Sequence, residues 1–145
     1  MPFMWADTLL SAERAHLFRL LAWSATSVLM GTVILAWLRI GNRRSLLLQH
    51  FGLQTVGWGM VDATLVAKRL QHTLPRDLSA ATRLDRLLWL NIGLDVGYIL
   101  VGLTLLVAGW RLGRKLGVIG AGLGIVVQGA ALALLDLMLA AQISR

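Results

Sequence analysis

Three aspartates, Asp62, Asp95 and Asp136, lie inside the long apolar stretches of this chain and are the residues best placed to do chemistry. They are the only charged residues within those stretches. A carboxylate at the centre of a lipid bilayer costs roughly 2.5–3.5 kcal/mol on insertion scales, and an ionisable residue there marks an ion, proton or ligand site by default. We therefore expect these aspartates to bind or translocate a proton, a cation or a small basic solute.

Amide and aromatic side chains accompany the aspartates at helical spacing. The candidate site residues are, by predicted helix, Gln54, Trp58 and Asp62, then Asn91, Asp95 and Tyr98, then Gln128 and Asp136. Separations of three, four or eight residues place the members of each set on one helix face. The sequence predicts that these faces meet in a polar cavity inside a bundle. The alternative is that the amides and carboxyl groups hold helices together through hydrogen bonds worth about 0.6–2 kcal/mol each.

Composition predicts the elements that position these residues. The 145 residues are 57% hydrophobic and 14% charged, whereas soluble domains are nearer one half and one quarter. Four apolar stretches, 20–38, 46–67, 87–110 and 116–141, are each long enough to cross a hydrocarbon core of about 30 Å as a continuous helix. We predict an all-α polytopic membrane protein with a single transmembrane domain, residues 1–145, built as a four-helix bundle.

Local signals suggest helix starts and membrane anchors. Ser11 and Ser79 precede helical segments and are predicted to be N-caps. Five tryptophans near the span ends are predicted to be interfacial anchors without a chemical role. They are Trp5, Trp23 and Trp89 on one side and Trp37 and Trp110 on the other.

The two halves of the chain resemble each other. Gly31 matches Gly102, the pair Gln54 and Asp62 matches Gln128 and Asp136, and the loops between the matched positions are both basic. We predict two duplicated helical hairpins, about 11–69 and 79–142, related by an axis along the membrane normal. Chance matching in a glycine- and leucine-rich background is the alternative.

The distribution of charge suggests a partner. Outside the spans there are 14 basic and four acidic residues, concentrated at helix ends, where they can meet anionic lipid headgroups. We expect no nucleic-acid partner. The short basic loops 39–45 and 111–115 are predicted to face the cytoplasm, with the protein in the inner (plasma) membrane.

The sequence contains no motif that indicates catalysis. It has no cysteine, no Ser-His-Asp constellation, no phosphate-binding loop and no pair of histidines at metal-ligand spacing, so we predict no enzyme activity, no metal and no cofactor. G-x-x-x-G steps, such as Gly93 with Gly97, suit packing within the chain and homodimerisation alike. A second hypothesis is therefore an accessory or assembly subunit of a larger membrane complex, whose polar stripes face a partner's helices.

The pattern Asn91-x-x-x-Asp95-x-x-Tyr98, followed by Gln128 and Asp136 eight residues apart, resembles an uncharacterised family of small four-span bacterial membrane proteins. The resemblance covers the second hairpin best. It implies the four-span architecture and no activity.

Overall fold

The computed structural model describes the backbone of residues 2–75 and 77–143, and the side chains of these residues from Ala6 onward. Four helices, α1 (Pro2–Ile40), α2 (Leu46–Gln71), α3 (Leu78–Arg111) and α4 (Leu116–Ile143), account for nearly all of it. The all-α prediction is confirmed, and α1 and α3 extend well beyond their predicted spans. The predicted anchor Trp5 lies outside the described side chains.

Three of the helices are long and apolar enough to cross a membrane: Ala6–Ile40 within α1, α3 and α4. Within the described part of the chain, α2 is not among them, because polar residues interrupt its apolar run. These residues include Gln49, His50, Gln54 and Asp62. The prediction of four spans is thus supported for three helices, and the fourth stays a prediction.

The helices pack in an open order. α1 lies along α2, α3 lies along α4, and α2 and α4 contact each other at the centre, while α1 also reaches α4. Among the described residues, the backbones of α2 and α3 do not approach each other. A groove therefore runs between α2 and α3, with α4 at its back.

Each hairpin is closed by the same glycine contact. A Cβ atom added at Gly31 would lie 2.8 Å from the carbonyl oxygen of Gly52, and one added at Gly102 would lie 2.8 Å from that of Gly122. No side chain fits at such a distance from a neighbouring backbone. Both hairpins therefore depend on glycine to bring their helices together.

A second glycine contact recurs one or two turns further along. A Cβ atom at Gly59 would lie 2.9 Å from the carbonyl oxygen of Ser24, and one at Gly129 would lie 3.0 Å from that of Asp95. Equivalent positions thus differ by 71 between α1 and α3, and by 70 between α2 and α4. The buried serine of the first hairpin occupies the position of the buried aspartate in the second.

This register corrects one feature of the predicted repeat. The match of Asp62 with Asp136, and that of Gln54 with Gln128, requires an offset of 74 and is wrong by one helical turn. The structural counterpart of Asp62 is Leu132. The common origin of the two hairpins stays a prediction, although their internal packing is the same.

Both predicted N-caps are wrong. α1 continues through Ser11, whose hydroxyl donates to the carbonyl oxygen of Thr8 at 2.8 Å. α3 is capped by Asp77, whose carboxylate accepts from the Ala80 amide at 2.7 Å and from the Ser79 hydroxyl at 2.9 Å. The hydrogen bond from the Ala80 amide, followed by that from Ser79, lowers the pKa of the Asp77 carboxyl group.

The two basic loops lie at the same end of the bundle and have a common feature. The guanidinium carbon of Arg43 lies 4.5 Å from the ring centroid of Trp37, and that of Arg114 lies 4.7 Å from the ring centroid of Trp110. Both tryptophans are exposed. Cation–π stacking thus fixes a positive charge beside an exposed aromatic ring in each loop.

Candidate functional site

The three predicted aspartates line one cavity of about 270 Å³ between α2, α3 and α4, which we call the carboxylate cavity. Asp62 is 8% exposed, and Asp95 and Asp136 are each 6% exposed. In the part of the chain that the structure describes, the Oδ2 atoms of Asp62 and Asp95 are buried and have no hydrogen-bond partner. Buried polar groups are nearly always paired, so two such oxygens in one cavity make it the candidate site.

The carboxylate cavity opens at the side of the bundle. Its other lining residues are Leu20, Trp58, Val61, Leu65, Val66, Arg69, Asn91, Leu94, Tyr98 and Leu132. Val61 and Leu65 on α2 and Leu94 on α3 are about half exposed and form the edges of the groove. The carboxylates therefore lie at the base of an opening with apolar edges.

Two aromatic rings meet across the groove. The ring centroids of Trp58 on α2 and Tyr98 on α3 are 5.1 Å apart, with the ring planes inclined at 59°. This tilted pair is a favourable aromatic arrangement, and the faces of both ring types attract cations. The sequence pattern placed both rings beside the aspartates, and the structure puts both in the cavity wall.

Asp136 has a partner that sequence reasoning missed. His16 Nε2 on α1 lies 3.0 Å from Asp136 Oδ1, and both side chains are buried. The sequence interpretation gave His16 no role because it lies before the first predicted span. Helical spacing could have identified it, because on one continuous α1 position 16 shares a helix face with the buried residues Leu20, Ser27 and Gly31.

Gln128 lies outside the carboxylate cavity and joins α4 to α1. Its Oε1 accepts from Trp23 Nε1 at 2.8 Å, and its Nε2 donates to Ser27 Oγ at 3.0 Å. Trp23, which is predicted to be an interfacial anchor, thus also takes part in the contact between α1 and α4. Gln54 is also outside the cavity, because its side chain packs against Gly124 between α2 and α4.

Arg69, which lies just beyond the predicted span 46–67, is a further site residue to which the sequence pattern gives no role. It lines the carboxylate cavity and also a second cavity of about 180 Å³, at the end of the bundle opposite the basic loops. Asn91 lines both cavities as well. The second cavity is lined by Glu13, His16, Leu17, Arg69, His72, Thr73, Leu84, Leu87, Leu88, Asn91 and Leu139.

The three carboxylates line the same cavity. Asp136 is close enough to act electrostatically on both Asp62 and Asp95. Across residues 2–75 and 77–143, however, no three histidine or acidic side chains are arranged to hold a metal ion. Dispersed negative charge beside aromatic rings suits a molecular cation better than a metal ion.

Comparison with known proteins gives one family and no activity. A family model described as "Family of unknown function (DUF6992)" matches residues 19–137, which is most of the chain and includes all three cavity aspartates. No curated protein and no solved structure matches the chain.

Proposed function

Because the chain belongs to this family of unknown function, we propose a role from its own site: an integral membrane protein that binds a small organic cation in the carboxylate cavity. The observation that carries the proposal is the pair of buried, unpartnered oxygens on Asp62 and Asp95. Leaving a buried acceptor unpaired costs about 1–3 kcal/mol, and more when it is charged. A bound cation offsets this cost through its positive charge.

The cavity wall favours a particular class of cation. Trp58 and Tyr98 offer ring faces to a positive charge, and Val61, Leu65 and Leu94 offer apolar contact at the groove edges. An ammonium or guanidinium group attached to a small apolar or aromatic body matches this combination. A simple hydrated metal ion would leave the apolar edges unused.

The membrane placement is part of the proposal. Three helices have the length and composition of spans, and α2 lies between α1 and α4, so it crosses with them as a fourth span. The groove between α2 and α3 then faces lipid, and its three aspartates lie within the membrane. We place the loops 39–45 and 111–115 on the cytoplasmic side of the inner membrane, where Arg43 and Arg114 meet anionic headgroups.

Binding of benzyltrimethylammonium, a permanently charged probe, tests the proposal. Calorimetric titration of the detergent-purified protein should show binding, and Asp95→Asn should weaken it at least about tenfold, which corresponds to about 1.4 kcal/mol. Asp85→Asn is the matched control, because it makes the same change on α3 at a residue that does not line the cavity. We expect the control to bind within about twofold of the wild type, well under 1 kcal/mol.

Neopentylbenzene, the uncharged analogue of the probe, separates charge recognition from apolar partitioning. It should not compete with benzyltrimethylammonium for the carboxylate cavity. Equal binding of both compounds, or equal probe affinity in wild type and Asp95→Asn, would contradict the proposal.

One observation favours the second candidate, an accessory subunit. A Cβ atom at Gly93 or at Gly97 would meet no atom within 4 Å among the described residues, so this G-x-x-x-G step on α3 is not used for helix packing in the described part of the chain. Close helix pairs in membranes use such steps. A protein that is monodisperse and stable when expressed alone would count against an obligate subunit, whereas aggregation relieved by co-purified partners would favour it.

A further inference from the structure

We propose that the His16–Asp136 pair is a proton-transfer step joining the carboxylate cavity to the second cavity, so that a bound organic cation is exchanged for a proton. This inference rests on the proposed function, because the proton it moves is the one that the cation displaces. It adds a role for His16, for Asp136 and for the second cavity, none of which cation binding alone requires.

The pair forms part of the wall between the two cavities. Asp136 lines the carboxylate cavity, His16 lines the second cavity, and 3.0 Å separates Oδ1 of the first from Nε2 of the second. That is hydrogen-bond distance, so a proton passes between them without further movement. The Nδ1 atom of His16 is buried and has no hydrogen-bond partner among the described residues.

An imidazole is suited to this position because it has two nitrogens. It accepts a proton at one nitrogen while it gives up a proton from the other. Here Nε2 faces Asp136, and the free Nδ1 is the remaining donor. If the residue served only to hold α1 against α4, an amide side chain would be sufficient, and a second ring nitrogen would have no role.

The exchange balances as follows. The exchange starts from an empty cavity whose three carboxylates share one proton. A cation arriving beside Asp62 and Asp95 replaces that proton, which moves to the carboxylate of Asp136. The Asp136 hydroxyl donates it to His16 Nε2, and His16 gives up a proton from Nδ1 towards the second cavity, which its side chain lines. One positive charge enters, one leaves, and no electron is transferred.

Charged groups from α1, α2 and α4 lie around His16. Those near it on α1 are Glu13 and Arg19, those at the end of α2 are Arg69 and His72, and that on α4 is Asp136, while α3 contributes Asn91 and leucines. Arg69 and Asn91 line both cavities. The second cavity thus offers polar groups at the end of the bundle, where the released proton leaves the protein.

Proton release during binding of benzyltrimethylammonium tests the proposal, because this probe has no proton of its own to lose. In weakly buffered detergent solution with a pH indicator, stopped-flow mixing should show about one proton released per cation bound. The apparent dissociation constant should rise about tenfold for each unit of decrease in pH while the cluster holds that proton. These two measurements use the wild-type protein and do not depend on any variant folding.

His16→Gln identifies the path. It should slow proton release at least about tenfold, in line with the loss of a general acid–base group, while the affinity for the probe changes by less than about threefold. His50→Gln is the matched control, since His50 lies on α2 outside both cavities, and it should release protons at the wild-type rate. Added imidazole should restore fast release in His16→Ala, which a purely structural histidine would not allow.

The outcomes separate this inference from the proposed function. Probe binding that depends on Asp95 but releases no proton, or proton release that is equally fast in His16→Gln, would overturn the relay and leave cation binding in place. Absence of Asp95-dependent binding would overturn both.

Discussion

The first hairpin (α1 and α2) and the second hairpin (α3 and α4) are closed by the same glycine contacts but sit differently in the bundle. A Cβ atom added at Gly31 would lie as close to the carbonyl oxygen of Gly52 as one added at Gly102 would lie to that of Gly122. α1 nevertheless reaches beyond its own hairpin to α4, whereas α3 does not approach α2. Identical local packing therefore does not make the bundle symmetric.

Polar side chains account for the difference. α1 is held to α4 by the hydrogen bonds of Gln128 with Trp23 and Ser27 and by the pair of His16 with Asp136. On the other side of the bundle, α2 and α3 present Asp62 and Asp95 to each other, and like charges repel. One side is closed by complementary groups and the other is left open as the carboxylate cavity. The cavity is thus a consequence of broken symmetry between two similar hairpins.

The largest expected loss of stability comes from a substitution at Gly120, where α4 of the second hairpin packs against α2 of the first. In Gly120→Ala the new Cβ atom would collide with the carbonyl group of Leu47, and backbone cannot move aside unless α2 and α4 separate. We expect a loss of about 1–3 kcal/mol or more in the free energy of unfolding. Gly97→Ala is the control, since its Cβ meets nothing within 4 Å in the described structure, and it should be neutral or gain up to about 1 kcal/mol.

The same unfolding measurement sharpens the comparison of the hairpins. Gly31→Ala and Gly102→Ala should have costs that agree within about 0.5 kcal/mol, because the atoms they would meet lie at the same distances. A much larger cost in one hairpin would show that the two contacts differ in solution. A Gly120→Ala protein as stable as Gly97→Ala would contradict the arrangement of α2 beside α4.

An intermediate effect is expected from the α1–α4 link. Gln128→Leu removes both hydrogen bonds of this amide and leaves the Trp23 indole and the Ser27 hydroxyl unpaired. We therefore expect a loss of about 1–2 kcal/mol in the free energy of unfolding. Gln54→Leu makes the same change on α2, at an amide with no hydrogen bond in the described residues, and should cost less than about 0.5 kcal/mol. Equal losses in thermal or denaturant unfolding would mean that the link does not hold α1 in place.

Much of the architecture follows from composition and spacing, since four helices with basic loops between them can be derived from apolar length alone. The placement of Asp62, Asp95, Trp58 and Tyr98 in one cavity also agrees with the helical spacing of polar residues. These inferences succeed because they depend on one helix at a time.

Features that depend on the contact between two helices could not be derived in the same way. The partnership of His16 with Asp136 requires α1 to continue unbroken through residue 11 and to lean on α4, which no local signal states. The same holds for Trp23 and Gln128, whose bond crosses 105 positions of sequence. Matching Asp62 with Asp136 predicts the wrong offset between the hairpins. The glycine contacts between helices, and not the types of the polar residues, determine which positions are equivalent.

The smallest expected effect concerns the N-caps of α2 and α3. α2 is capped by Ser45, whose hydroxyl oxygen accepts from the Leu48 amide at 3.3 Å, and α3 is capped by Asp77, whose carboxylate accepts from the Ala80 amide. Because these bonds favour the ionised form, the pKa of Asp77 lies below its usual value of 3.8 in the folded protein. The stability that this carboxylate contributes is then fully present above pH 3.8 and is lost as the pH falls through the lower, folded pKa.

We therefore expect the two caps to contribute to the free energy of unfolding with different dependences on pH. Asp77→Asn keeps a capping oxygen but cannot titrate, so the difference in unfolding free energy between wild type and this variant should vanish below the folded pKa and reach a plateau above about pH 4. Ser45→Ala should differ from wild type by an amount that does not change with pH, because a hydroxyl has no charge to lose. A pH-dependent difference for Ser45→Ala, or a flat one for Asp77→Asn, would show that the caps are not what distinguishes the starts of α2 and α3.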